Sequence, residues 1–140
     1  MKTYRNPLRG FTLFLPNGWR EPSLFQRLLS FGKYRHQQEQ PEFLGPFNSR
    51  LKFSIHSIYP VPEISEQQGN LQRLAESYGN RVIYLGRIRV NGRDHATIIF
   101  QAPGLSETKL YSLIFGSTEY LITAKGRYEE IDSIVKSFHP

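Results

Sequence analysis

The side chains in this sequence with the means to do chemistry are four histidines, a scatter of serines and a set of arginines around one turn. His36, His56, His95 and His139 share no i, i+4 spacing and have no nearby paired acid at ligand spacing. A metal site needs several converging ligands, so none is expected here. His56 and His95 both fall on strands, where they would either meet across a sheet or stand as ordinary packed or solvent-facing histidines; the second is the expectation. Ser54, Ser57, Ser106 and Ser112 are scattered, with no G-x-S-x-G elbow to activate one of them. The chain has no cysteine, which removes thiol nucleophiles, Fe–S clusters and Cys-ligated zinc together. Neither G-x-x-x-x-G-K nor G-x-G-x-x-G occurs, and no cofactor is expected. Glu129, Glu130 and Asp132 open the last helical stretch, where they complement the helix dipole, and Glu63 and Glu66 do the same for an earlier one. No residue is assigned a catalytic role.

Two features point instead to a partner. Arg81, Arg87, Arg89 and Arg93 surround Asn91-Gly92, and Arg87 and Arg89, two apart on a strand, point the same way. Such a pair takes an acidic protein or a phosphate, or else it is solvated, with Arg89 paired to Asp94. The second feature is an apolar helix: Leu24, Phe25, Leu28, Leu29 and Phe31, followed in a loop by Phe43, Leu44 and Phe47. These side chains either cover one sheet face or form an exposed patch that docks a partner. The candidate partner-binding residues are therefore Leu24, Phe25, Leu28, Phe31, Arg87, Arg89 and Arg93.

The elements that would carry these residues are well punctuated. Phe11–Leu15 reads as a strand stopped by Pro16-Asn17-Gly18. Ser23 and Gln26 have capping-box spacing before the apolar helix, and Gly32 would end it. Lys33 to Ser49 reads as a long loop. Arg50 to Tyr59 alternates as a half-buried strand, with Leu51, Phe53 and Ile55 on one side. A second capping box, Ser65 and Gln68, opens a helix whose Leu71, Leu74, Ala75 and Tyr78 share a face. Val82–Val90 and Arg93–Ala102 then flank Asn91-Gly92, the strongest short hairpin signal. Two further strands follow, Thr108–Phe115 and Glu119–Ala124, and then a helix from Tyr128 to about Ser137.

The hairpin register puts Ile83, Leu85, Ile98 and Phe100 on one face and Val82, Tyr84, Ile88, Val90 and Ile99 on the other. A sheet apolar on both faces must be covered on both. The expected fold is α+β: an α/β/α sandwich with a central antiparallel sheet covered by three helices.

Composition agrees with one folded domain. The chain has 140 residues, 39% hydrophobic and 21% charged, with a net charge of +6. That charge favours acidic partners, nucleic acid or acidic lipid, although the basic residues are spread along the chain without a run. No apolar stretch approaches the roughly 18–20 residues of a membrane span. The N-terminus lacks a signal-peptide core, so a cytoplasmic location is expected, with a trimmed exported or anchored domain as the alternative.

With the elements in place, the opening Tyr4…Gly10-Phe11-x4-Pro16-x-Gly18-Trp19 and the ending Tyr120-x2-Thr123…Ile134-Val135-Lys136-Ser137-Phe138 resemble the PsbP-like fold family. That family includes extrinsic subunits of photosystem II, a eukaryotic Ran-binding import factor and many bacterial proteins of unknown function. The resemblance implies one domain over 1–140, with a variable helix–loop insertion at about 20–49. It also implies a non-catalytic role in binding an unidentified protein partner. It carries over no functional residues, since the matching positions read as core and turn residues, Trp19 among them. An anion-binding module for nucleic acid or acidic lipid, and a small-molecule binder or enzyme with a pocket between helix and sheet, stay open beside it.

Overall fold

The structure, a computed structural model, describes residues 1–23 and 39–140. The expected helix carrying Leu24, Phe25, Leu28 and Phe31 lies outside the described residues. Among those residues the chain is α+β. A small sheet pairs β1 (Lys2–Asn6) with β2 (Phe11–Leu15). A six-stranded antiparallel sheet has the order β3-β4-β8-β7-β6-β5. Its strands are β3 (Glu42–Leu44), β4 (Arg50–Ser57), β5 (Arg81–Val90), β6 (Arg93–Gln101), β7 (Glu107–Phe115) and β8 (Thr118–Lys125). Helices α1 (Ile64–Ser77) and α2 (Tyr128–Lys136) complete it.

The two helices lie on opposite faces. Ile131, Ile134 and Val135 of α2 join Phe11, Leu13 and Leu15 of β2 and Phe53, Tyr111, Leu113 and Ile122 of the large sheet in one buried cluster. Phe11 stacks on Phe53 and on Phe138, with ring centroids 5.2 and 5.1 Å apart. Leu71 and Ala75 of α1 bury a smaller aliphatic group on the other face, with Ala96, Ile98 and Leu110. The residues behind the family resemblance meet in the first cluster. Tyr4 packs edge-on against Phe43, Tyr120 against Phe138, and Trp19 is fully buried.

The Asn91-Gly92 turn forms as expected. Both residues have positive φ, and Val90 pairs with Arg93. Elsewhere local rules were overruled. The register slips between Val82 and Tyr84, a β-bulge. It moves Val82 to the Leu85–Phe100 face, against the face expected for it, and leaves Ile83 unpaired and exposed. Helix α1 starts at Ile64 with Glu63 as its N-cap, so Ser65 is inside the helix and the expected capping box does not form. Gln68 instead donates to the Gly86 carbonyl at 3.0 Å, and Gln67 takes a buried position through the Ser112 carbonyl at 2.5 Å. Leu74 sits at the edge of the buried stripe, 39% exposed, and Tyr78 is the C-cap just past the last helical residue, 77% exposed. The expected loop up to Ser49 contains β3 and a tight turn at Pro46–Asn48, because Phe43 is drawn into the aromatic core.

Candidate functional site

The histidines and serines separate in space. His56 on β4 and His95 on β6 have β8 and β7 between their strands and face opposite sides of the sheet, so they do not meet. Ser54 Oγ lies 2.7 Å from His56 Nε2, and Glu119 stands opposite His56 in the ladder. Yet Glu119 accepts its hydrogen bond from Ser112 Oγ, at 2.6 Å. The Phe53 N–H donates to the Pro41 carbonyl, so strand alternation sends the amides of Ser54 and His56 into the β8 ladder. The donors nearest the Ser54 hydroxyl are thus already spent, and an oxyanion would find no backbone hole there. Among the described residues no group of three or more His, Cys, Asp or Glu is placed to hold a metal.

His95 is buried on the aromatic face. Its Nδ1 accepts the Ile114 N–H at 3.1 Å and its ring packs on Phe115 at 4.9 Å. Nε2 therefore carries the proton and makes no well-formed hydrogen bond, the Val90 carbonyl lying near enough only to favour the charged ring. Burial, the dominant effect, holds this imidazole below its ordinary value of 6.5, partly offset by the Val90 carbonyl.

The helix-opening acids do more than face a dipole. Asp132 accepts from Lys109 Nζ at 2.9 Å and from the Tyr111 hydroxyl. Burial, and then that hydrogen bond, push the Tyr111 phenol far above its ordinary range. Glu130 accepts from the Trp19 indole N–H. Both contacts lock α2 and the β2–β3 connection onto the sheet, which confirms Trp19 as a core residue.

The hairpin arginines sit where the sheet ends. Among the described residues β5 is the terminal strand, and Arg81, Arg87, Arg89 and Arg93 are all exposed on it or beside it. Arg81 donates to Gln101 at 3.1 Å, and Arg89 meets Asp94 at 3.2 Å. The Arg89–Asp94 side chains are 66% and 47% exposed, so their ion pair contributes little to stability. A two-residue turn makes Val90 and Arg93 a hydrogen-bonded pair. Alternation then leaves the N–H and C=O of Arg87 and Arg89 pointing away from β6. The strand also exposes Ile83 and Tyr84 at its bulge.

At the opposite end of the sheet is a basic cleft that the sequence reading missed. It is about 440 Å³ and is lined by Arg20, Asn48, Ser49, Arg50 and Lys125 among others. Its wall is the β3–β4 turn, where Phe47 and Asn48 both have positive φ and Ser49 N–H bonds to the Pro46 carbonyl. Gly45 lies flat on the Trp19 indole, which a Cβ would strike. Of the loop residues expected to form a docking patch, Phe43 is core, Leu44 is half-buried and Phe47 is 74% exposed.

No protein-family model matches the chain. The search of curated proteins returned no match either. Solved structures do match. Cyanobacterial PsbP (CyanoP) from Synechocystis aligns over 99% of this chain and 91% of its own, at 12% identity and TM-score 0.65. The Ran-binding protein Mog1p of Saccharomyces cerevisiae aligns over 99% and 94%, at 11% identity and TM-score 0.65. A structure from Bacteroides thetaiotaomicron aligns over 99% of this chain and 47% of its own, at 14% identity and TM-score 0.56. These matches over almost the whole chain make this a PsbP-like fold.

Proposed function

We propose that the chain is a non-catalytic protein-binding module that takes an extended acidic segment of its partner as an added strand along β5. One observation carries the reading: among the described residues the sheet ends on a ten-residue strand that leaves backbone groups unpaired beside exposed arginine side chains. Strand addition draws affinity from main-chain hydrogen bonds and specificity from the side chains beside them. Arg87 and Arg93 supply positive charge to an incoming acidic strand, and the weak Arg89–Asp94 pair exchanges at little cost. The structural likeness to Mog1p, named for binding Ran, supports a protein as the class of partner.

The test is cross-linked capture from native-host lysate, with the linked peptides mapped. Arg87→Pro deletes an outward N–H without touching the β6 ladder, a change that edge strands accommodate. Arg87→Glu reverses the selecting charge. Wild type is expected to capture an acidic extended segment, and both variants, still folded, to lose it by tenfold or more. Undiminished capture by Arg87→Pro would refute strand addition.

A further inference from the structure

The basic cleft lies three strands away from β5 and breaks several local rules at one place. Arg50 stands directly opposite Lys125 in the β4–β8 ladder. Like charges so placed are destabilising. Glu42, its side chain only 5% exposed, meets Arg50 at 2.9 Å. Lys125 has no carboxylate within ion-pair reach among the described residues. Phe47 adopts φ 57 and ψ 38, a left-handed conformation that is a true outlier for a bulky side chain. The residue is 74% exposed. Local strain of this kind gathers at ligand clamps.

The surroundings say what the clamp would hold. The antiparallel bridge between Arg20 and Leu44 fixes Arg20 at the rim, with reciprocal hydrogen bonds of 2.8 and 2.7 Å. Arg20, Arg50 and Lys125 line the cleft with Asn48 and Ser49. Arg20 Nη1 also donates to the Glu21 carbonyl and Arg50 Nε meets Glu42. Each guanidinium has further N–H groups, so the lining suits a group with several anionic oxygens. A second hollow of about 610 Å³ shares Asn48 and Lys125 with the cleft and opens onto Phe47, Tyr128 and Glu107. The Arg127 guanidinium is stacked 4.1 Å from the Phe47 ring centre, holding it in place. Glu107 disfavours an anion in this second hollow, so the two compartments orient a ligand. Its charged group goes to Arg50 and Lys125, its planar group to Phe47.

We propose that this cleft binds a small-molecule phosphate ester bearing a planar ring, with the phosphate between Arg20, Arg50 and Lys125 and the ring on Phe47. The experiment is calorimetric titration with inorganic phosphate and with adenosine monophosphate, alongside sedimentation with phosphatidylglycerol vesicles. Wild type is expected to bind both soluble ligands saturably, the nucleotide at least fivefold tighter. Lys125→Ala removes one partner of a repulsive pair, so it is expected to melt no lower than wild type while weakening both ligands tenfold or more. Phe47→Ala brings the nucleotide down to the phosphate affinity and leaves phosphate unchanged. Equal binding by Lys125→Ala and wild type would overturn the proposal. So would vesicle binding without either soluble ligand, or no saturable binding at all.

Discussion

Two cross-strand pairs at opposite ends of one sheet obey the same electrostatics with opposite signs. At the β5–β6 end, Arg89 faces Asp94. At the β4–β8 end, Arg50 faces Lys125. Opposite charges across a ladder support the fold slightly, and like charges oppose it. The hairpin end is therefore self-sufficient, and what it offers a partner is its outward backbone and surplus arginines. At the other end Glu42 offsets Arg50, but Lys125 faces it with no carboxylate in reach among the described residues, beside a turn that is itself strained. The first end carries the proposed strand-addition edge, and the second the proposed cleft.

The sharpest way to break this comparison is to remove the side chain on which the cleft wall rests. Trp19→Ala deletes the indole that carries Gly45 and leaves the Glu130 carboxylate without its donor. It is expected to destabilise by roughly 3–5 kcal/mol in denaturant unfolding. Amide exchange should rise around Gly45–Ser49 before it rises at the Asn91-Gly92 hairpin. Equal loosening of both ends would show that they are not separable.

Gly126→Ala is expected to cost less, about 1–3 kcal/mol. Its φ is 125, and a Cβ would strike Ser49 at the cleft. The readout is the urea midpoint.

A pH change works on the hairpin end. His95 neighbours Asp94 on β6, and burial holds its folded pKa below the unfolded value of 6.5. Below that value the unfolded chain binds more protons. Stability is thus full above about pH 6.5 and falls as the pH drops below it, by at most about 1.4 kcal/mol per pH unit. Urea unfolding at several pH values should show the slope, and His95→Gln should flatten it.

The smallest effects test the charges directly. A double-mutant cycle on Arg89 and Asp94 should give a favourable coupling of about 0.2–1 kcal/mol. The same cycle on Arg50 and Lys125 should give a coupling of the opposite sign and similar size.

Much of this fold was legible in the sequence because its signals are local. Asn91-Gly92 fixed a register that put Arg89 against Asp94, and the alternation of Leu51 and Phe53 marked β4. What escaped was decided by tertiary contacts. Strand β1 exists by pairing with β2, and β3 by the burial of Phe43, neither of which leaves a periodic signature in so few residues. The bulge at Val82/Tyr84 changed faces that strict alternation had assigned. In α1 the buried stripe begins at Gln67, held by a bond to Ser112, and ends at Ala75, while Tyr78 falls past the helix end; no hydrophobic period reports either limit. Of the candidate site, the arginines were found because they cluster in sequence. Arg20, Arg50 and Lys125 are far apart in the chain, and only the sheet brings them together. The one available signal was Pro46-Phe47-Asn48, a turn with an aromatic where glycine or asparagine is usual.

The most direct test of the central claim is photo-cross-linking in native-host cells, with a photoreactive residue placed in turn at Arg87, at Ile88 and at Phe47. Strand addition along β5 predicts that position 87 links to an acidic, extended segment of a single protein. Position 88, facing the core, should link only within the chain, and position 47 should not yield that protein. A protein captured at 47 and not at 87 would contradict the account and move the binding surface to the other end of the sheet.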